Sequence, residues 1–598
     1  MVVPRVQAAI ASAFGEEYRG TDPVVRPSQF ADIQINAAMA LAKKVGMPPR
    51  DAAARIVEAL DLDGICTAVE ISGPGFINLT FDGTWIEELL NAETPGAPGV
   101  PPAEAQRVVV DYSSPNVAKE MHVGHLRTTV VGDSLVKVFE ALGDTVIRQN
   151  HIGDWGTPFG MLIEHWLEIG EDSPEAALLV DDPSAFYQAA RAKFDASATD
   201  EDGFATRARL RVVALQGGDA ETFAVWQRLV AQSKRYFNAI YSMLGISLTD
   251  DHIAGESSYD AHLAQLCQEL EDRGLARISD GALCTFPAGF TGRDGEPMPL
   301  IIRKSDGGYG YGTTDLATIR YRVRELEANR VLYVVGAPQN MHLRMVMATA
   351  REAGWLPDTV EAVHVQIGNV LGEDGKILKS RSGAPVKLMA LLEEAVDRAR
   401  AVIDASRPEL TESERAVTAR QVGIGAVKYA DLSVGHDTEY VFDFDRMLAL
   451  SGNTGPYVQY AAARIRSILR KAGVLEQHTS GAEVAGTGAA ATGTEVTDSD
   501  GGTPATVIAV VEPAERALAL HLLEYGATLY KVRETLEPHR LCTYLFELAQ
   551  LFTSFYDQCP VLKSEDSVRE SRLALCALVL RRLSEGLDLL GIETPENM

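Results

Sequence analysis

Long apolar runs are missing from this 598-residue chain. No stretch of about 18 apolar residues occurs, so no membrane-spanning helix and no membrane partner are expected. Cysteine is scarce: Cys66, Cys267, Cys284, Cys542, Cys559 and Cys576 are scattered and form no CxxC pair. That spacing argues against a disulfide framework or a cysteine zinc site, predicts no resident metal, and fits a reducing compartment. The opening MVVPRVQAAIASAFGEEY has neither the basic segment nor the long apolar core of a secretory signal, so a cytoplasmic protein is expected. Basic residues are in deficit, 55 Lys and Arg against 83 Asp and Glu, for a net charge of -28. Nonspecific nucleic-acid binding rests on cationic phosphate contacts and is disfavoured. A partner met by a local basic face remains open, and an acidic chain suits a small cationic substrate.

What is present is enough for three or four domains by length alone. The stretch 91–106, NAETPGAPGVPPAEAQ, is rich in Pro, Gly and Ala and reads as a linker. Before it, a unit of roughly 90 residues starts helical and ends in two β-like runs, TAVEIS and GFINLTF. After it, RVVVDYSS reads as a buried strand. Leu126–Leu142 then puts Val131, Leu135, Val138, Phe139 and Leu142 on one helical face, with Gly143 ending the helix. TVIRQNHIG reads as the next strand. Strand, helix and strand in this order predict a βαβ unit with a parallel sheet. RVLYVVGA and EAVHVQIGNV give a second pair of strands far downstream, so about 168–300 reads as an insertion between two halves of one α/β domain. From about Pro385 the pattern is helical to the end, broken by a Gly-, Ala-, Thr- and Ser-rich insert at 477–506 that is too poor in large apolar residues to build a core.

The sharpest chemical signal is His122-Val123-Gly124-His125, just after a strand and at the start of a helix. Two imidazoles three residues apart there would face whatever sits above the sheet edge. The helix N-terminus adds free N–H groups and a dipole favourable to anions, and Gly124 leaves room for a flat base. This is the equipment needed to hold ATP and to stabilise charge on a pentavalent α-phosphate. A pair of unrelated surface histidines is the plainer alternative if the motif is taken alone.

Its surroundings decide. DYSSPNVAKEMHVGHLRTTVVGDSL, running on through IRQNHIGDWGTPFG, resembles the signature region of arginyl-tRNA synthetases. The resemblance extends to SGNTGPYVQYAAARIRS, LFTSFYDQCPVL and the ending LDLLGIETPENM, which resemble the family's anticodon-binding helices, and to GPGFINLTF, which resembles its extra N-terminal tRNA-binding domain. It implies a Rossmann-like α/β class I catalytic domain, an N-terminal α+β domain and a C-terminal all-α helix bundle. The implied boundaries are 1–92 for the N-terminal tRNA-binding domain and 107–385 for the catalytic domain. A helical connecting region follows at 386–455, and the anticodon-binding domain at 456–598. The implied substrates are L-arginine, ATP with Mg2+, and tRNA(Arg), in a monomeric enzyme that activates arginine only with tRNA bound.

The same resemblance places an arginine pocket at Asn116 of SSPN, with Asp111 nearby, and at Glu256, Tyr311, Asp315 and Gln339. Asp111 stands where the family often has Glu. Carboxylates suit a guanidinium, whose rigid fork of donors pairs with planar acceptors; considered singly, Glu256 and Asp315 would read as solvated surface acids. His122, Gly124 and His125 are the implied catalytic residues. The second class I signature, a K-M-S-K-S loop on the ATP phosphates, is degenerate here. Its counterpart is GKILKSRSG at 375–383. Matched by letters, the catalytic lysine is Lys379; matched on the trailing Gly383, it falls on Ser380. Lys379, Ser380, Arg381, Ser382 and Gly383 are therefore the candidate ATP loop, and Lys119, just before the HxGH motif, is the cation implied to replace the missing lysine. For tRNA, Phe76 and Asn78 match a site for a D-loop base, an aromatic to stack on it and an amide to read its edge. Tyr457, Tyr460, Tyr556 and Met598 match an anticodon pocket, where Asn597 replaces an arginine common in the family. Two rivals stand beside this reading. A class I synthetase for another amino acid would have a neutral pocket in place of Glu256 and Asp315. A noncatalytic tRNA-binding paralogue would have lost the HxGH motif or those acids.

Overall fold

The structure, a computed structural model, describes residues 2–93, 104–117, 119–293, 295–379, 386–475 and 507–598. The insert at 477–506, the loop residues Ser380–Gly383 and most of the 91–106 linker lie outside them. The chain divides into two compact units: 1–101 with 464–527 and 547–583, and 102–463 with 528–546 and 584–598.

In the first unit the two β-like runs are Cys66–Ser72 and Phe76–Phe81, joined antiparallel. With Val25–Pro27 and Ile33–Ile35 they make a four-stranded sheet in which Phe76–Phe81 is internal. Ile77 and Leu79 are fully buried with helix residues Ala38, Leu41, Ala52 and Ile56. Asp32, just before the strand Ile33–Ile35, accepts two hydrogen bonds from Arg516 at 3.0 and 2.7 Å, so the helix Pro513–Leu523 belongs to the same unit as the first strands.

The second unit is built on a four-stranded parallel sheet. Its strands are β1 (Arg107–Asp111), β2 (Thr145–Gln149), β3 (Arg330–Gly336) and β4 (Glu361–Ile367), in the spatial order β4-β3-β1-β2. All four runs read as strands in the sequence are here. The order reverses between β1 and β3: the chain leaves β1 toward β2 and leaves β3 toward β4. Open α/β sheets bind ligands in the crevice beyond the carboxyl ends of the strands at such a point. β1 and β3 are apolar throughout their middles, as expected of strands covered on both faces.

The helix after β1, Val123–Ala141, is buried almost all round, from Leu126 through Leu135. The sequence predicts a single apolar face, and the difference has a physical cause. One side packs on the sheet and the other against helix Glu412–Leu432, so even the polar positions Arg127, Thr129 and Asp133 are interior and must find partners. Arg127 Nε pairs with Asp431 Oδ1 at 2.5 Å, and its other nitrogens donate to the carbonyls of Thr438 and Gly435. Gly143 takes φ 88° just past the helix end, the left-handed position glycine fills without strain.

The insertion is helical from Pro174 to Leu244 and closes with a small antiparallel sheet of Ala276–Ser279, Ala282–Thr285 and Leu300–Arg303. Among the described residues after Leu388 the regular elements are helices, apart from the two-residue strand Tyr440–Val441.

Candidate active site

The turn that leaves β1 is strained. Ser113 and Ser114 adopt φ of 69° and 45°, two consecutive left-handed residues without glycine, which persists only where the surroundings over-determine it. They do. Ser113 Oγ lies 2.7 Å from Tyr241 Oη and accepts from Thr129 Oγ1 at 2.9 Å, while the Ser114 N–H donates to Asn150 Oδ1 at 3.1 Å. The turn sets Asn116 opposite Gly153 in a parallel bridge, with Val117 N donating to Gly153 O at 3.1 Å.

The HxGH residues then start the next helix. His122 is the N-cap, and its Nδ1 accepts the Gly124 N–H at 3.1 Å; His125 Nδ1 accepts the His122 N–H at 3.1 Å. Each Nδ1 is thus an acceptor, so each neutral ring carries its proton on Nε2, free to donate outward. Both rings are held neutral: burial, then the Lys119 charge, lowers His122, and burial, His122 and Lys119 bring His125 down to about 3.

Asn116, Val117, Lys119, Trp155, Glu256 and Tyr311 are among the walls of a cavity of about 240 Å³ at this point. Glu256 follows Gly255, whose Cα faces the Asp154 carboxylate so closely that a Cβ would stand 2.6 Å from it. Burial, then the charges of Asp154 and Asp315, pushes the Glu256 carboxyl up to about 8. Asp315, on helix Tyr311–Arg324, meets His342 Nε2 at 2.5 Å and has His151 Nε2 at 3.9 Å. The Tyr311 ring stands edge-on to His342 at 4.8 Å. Glu256 is the acid in the cavity wall, with the Asp154 and Asp315 charges near enough to shift it, and Lys119 and Lys304 are the cations that line the same cavity. Gln339 is exposed just beyond β3, at the start of the helix that bears His342.

Two expected contacts change. Asp111 is no free acid: its carboxylate is buried, accepts Arg322 Nη2 at 2.7 Å and takes the Ser114 hydroxyl at 2.8 Å. Burial alone would raise it, but Arg322, His151 and Ser114 hold it below the usual carboxylate range. Asn78 is 4% exposed, and its amide is used inside the first unit, accepting from Ser28 Oγ at 3.2 Å and Gln34 Nε2 at 3.1 Å and donating to Ser72 Oγ at 2.9 Å. A buried amide must be paired, so the groups nearer the surface there are half-buried Phe76 and Gln34, with Phe30 at 84% exposure.

The other expected residues are dispersed. Lys379 is exposed at the end of a hairpin that turns at Gly375 and in which Leu378 N donates to Val370 O. Tyr457 is half-buried against Phe546, ring centroids 5.5 Å apart, and Tyr460 is exposed. The Arg464 guanidinium sits 4.8 Å over the Tyr556 ring. Met598 packs beside Ile403, Ala419 and Val422, and its carbonyl accepts from Arg407. Sequence reasoning missed His151, Asp154 and His342. His151 and Asp154 sit inside the quoted IRQNHIGDWGTPFG and His342 follows Gln339 by three residues, and polar residues in the segments that follow parallel strands are the signal that points to them.

A parallel sheet with its order reversed, a cavity lined by residues that follow β1 and β2, and a helix that starts at the HxGH motif define an α/β protein of the class I synthetase fold. The family model for the catalytic domain of class I (R) tRNA synthetases matches residues 87–444, that for the arginyl tRNA synthetase N-terminal domain matches 4–81, and that for the DALR anticodon binding domain matches 458–598. An arginine–tRNA ligase of Thermobifida fusca (strain YX) is 64% identical over 596 residues, covering 99% of this chain and 98% of its own. One from Frankia casuarinae is 48% identical, covering 100% and 99%. The crystal structure of arginyl-tRNA synthetase from Plasmodium falciparum superimposes with a TM-score of 0.81 at 28% identity, over 100% of this chain and 98% of that one. The chain belongs to the class I arginyl-tRNA synthetase family.

Proposed function

We propose that this protein activates L-arginine with ATP and transfers the arginyl group to the 3' end of tRNA(Arg). The observation that carries this is Glu256 in the cavity wall, its carboxyl raised by burial and by the charges of Asp154 and Asp315 close behind it. Buried acids that repel one another are costly until a cation joins them, and a guanidinium supplies the charge and a fork of donors. In this reading Glu256 and Asp315 take the guanidinium, with Tyr311 and Gln339 at the mouth, and Asn116 takes the amino or carboxylate end. Asp111 acts through Arg322 and Ser114 by shaping the SSPN turn. The arginine carboxylate attacks the α-phosphate and the α–β phosphoanhydride bond breaks to release pyrophosphate; the Nε2–H groups of His122 and His125 and the Lys119 ammonium meet the charge that develops there, with Gly124 leaving space for the adenine. Lys379 and the 380–383 loop cover the phosphates. The terminal ribose hydroxyl of tRNA then attacks the carbonyl carbon of the adenylate, and AMP leaves. No side chain forms a bond to substrate, so catalysis is positioning and electrostatics.

Among the described residues no cluster of three or more His, Cys, Asp or Glu could hold a metal ion. Mg2+ belongs in this reading with the ATP phosphates, its usual ligands in such sites. We assign 107–385, with its 168–300 insertion, to catalysis, 386–455 to the connection, and 1–92 and 456–598 to tRNA, through Phe76 with Asn78 ordering Gln34, and through Tyr457, Tyr460, Tyr556 and Met598. The enzyme acts as a monomer, and no helix among the described residues is long and apolar enough to cross a membrane.

ATP–pyrophosphate exchange with each amino acid, with and without tRNA(Arg), tests this. Exchange is expected with arginine alone and only when tRNA is present. Exchange with another amino acid would overturn the substrate; full exchange without tRNA would overturn the coupling.

A further inference from the structure

Lys119 has an unusual setting for a cation expected to meet phosphate. Its ammonium lies 4.4 Å from the centroid of the Tyr187 ring, and it forms no salt bridge among the described residues. The acid beside it in sequence, Glu120, is turned elsewhere: its Oε2 accepts Lys387 Nζ at 2.8 Å and Ser184 Oγ at 2.6 Å. Lys387 is itself fixed against the HxGH segment, because Val123 N donates to Val386 O at 3.0 Å and Leu388 N to Met121 O at 2.9 Å. Tyr187 and Ser184 lie one turn apart on the insertion helix Pro183–Ala196, whose N-cap Asp182 stands 3.4 Å from Lys387 Nζ. A single helix start therefore supplies a ring for the cation and a hydroxyl for the competing acid.

We propose that Tyr187 is a positioning residue for adenylate formation, holding Lys119 beside the HxGH imidazoles while Ser184 and Lys387 keep the Glu120 carboxylate away from it. The inference rests on the reading above, in which Lys119 faces the ATP phosphates. Its chemistry is that of the two alternatives. Pairing with Glu120 would neutralise the ammonium and direct its donors at a carboxylate. An aromatic face attracts the charge through its quadrupole and takes no proton from it, so N–H donors stay available for phosphate oxygens. Lys119 also lines the cavity, and its charge is felt at both His122 and His125.

A contact of this kind at a partly exposed site biases a side chain by roughly two- to fivefold. The test is kcat for ATP–pyrophosphate exchange in the full-length enzyme with arginine and tRNA(Arg). Tyr187→Leu is expected to lower kcat by about that factor with the arginine KM unchanged, and Tyr187→Phe, which keeps the ring, to restore it. In a Lys119→Ala background, Tyr187→Leu should cost nothing further. An equal loss in both backgrounds would mean a structural role and overturn the proposal, as would a fully active Tyr187→Leu enzyme. Lys119→Ala with full kcat would instead remove the phosphate role beneath it, a distinguishable failure. If Tyr187→Leu does not fold, Ser184→Ala replaces it: freeing Glu120 should lower kcat, and adding Glu120→Gln should restore it. Failure of that rescue overturns the proposal.

Discussion

A Cβ on Gly153 would stand 2.5 Å from Asn116 Oδ1. The two residues bridge the β1 and β2 turns, so the missing side chain at 153 sets where the Asn116 amide lies in the cavity. Gly153→Ala is expected to keep the fold and lose exchange activity, through a raised arginine KM. Gly132→Ala drives a methyl into the Tyr112 ring in the core and should instead lower stability, by about 1–3 kcal/mol. Melting curves and exchange kinetics on the two variants check the contrast, and matching behaviour would contradict it.

Asp315→Asn should weaken arginine use while leaving ATP use intact. One charge-assisted hydrogen bond is worth about 1.5–3 kcal/mol, or roughly 10- to 150-fold in KM. The asparagine can still accept from His342, so the helix packing survives. A folded variant with an unchanged arginine KM would remove Asp315 from the pocket.

Arginine affinity should rise with pH. The Glu256 carboxyl, pushed up to about 8 by burial, Asp154 and Asp315, is protonated at pH 6, and a guanidinium needs it ionised. Binding then releases a proton, and affinity gains about tenfold per unit up to pH 8 and levels off above it. His151 and His342 also face this site. Glu256→Gln isolates the carboxyl and should flatten most of the slope. For the free enzyme the sign is opposite. Its folded value exceeds the ordinary 4.5, so between about pH 4.5 and 8 the folded state binds more protons than the unfolded chain, and this group's contribution to stability falls as pH rises. Isothermal titration of arginine at several pH values, with melting curves alongside, reads both trends.

Arg127→Ala should cost about 3–5 kcal/mol, because it strands the Asp431 carboxylate in the interior. Arg127→Met with Asp431→Leu removes both charges and should recover much of the loss. Denaturant unfolding of the single and double variants measures it; a single variant as stable as the parent would contradict the account.

Much of this molecule was legible in the sequence, and the limits have physical causes. The runs RVVVDYSS, TVIRQNHIG, RVLYVVGA and EAVHVQIGNV are short, apolar and bounded by turn residues, so all four strands of the parallel sheet could be read. The HxGH motif lies at a helix start because its own imidazoles satisfy the first N–H groups, a local effect. What was illegible depends on distant partners. Asp111 reads as an acid beside the arginine pocket until Arg322, 211 positions away, occupies it. Asn78 reads as a base-reading amide until Ser28 and Gln34 fold over it. The Asp315–His342 contact joins the helix before β3 to the helix after it in the chain, and no periodicity reports that.

The Arg127–Asp431 pair spans 304 residues of chain. A ribosome adding about 5–20 residues per second needs roughly 15–60 s to make the second partner after the first. Throughout that interval the nascent HxGH helix carries a cation with none of its interior acceptors yet synthesised, and it cannot be buried without them. The catalytic centre is thus among the last parts of the protein to close, and a truncated product ending before Asp431 has no route to a finished active site.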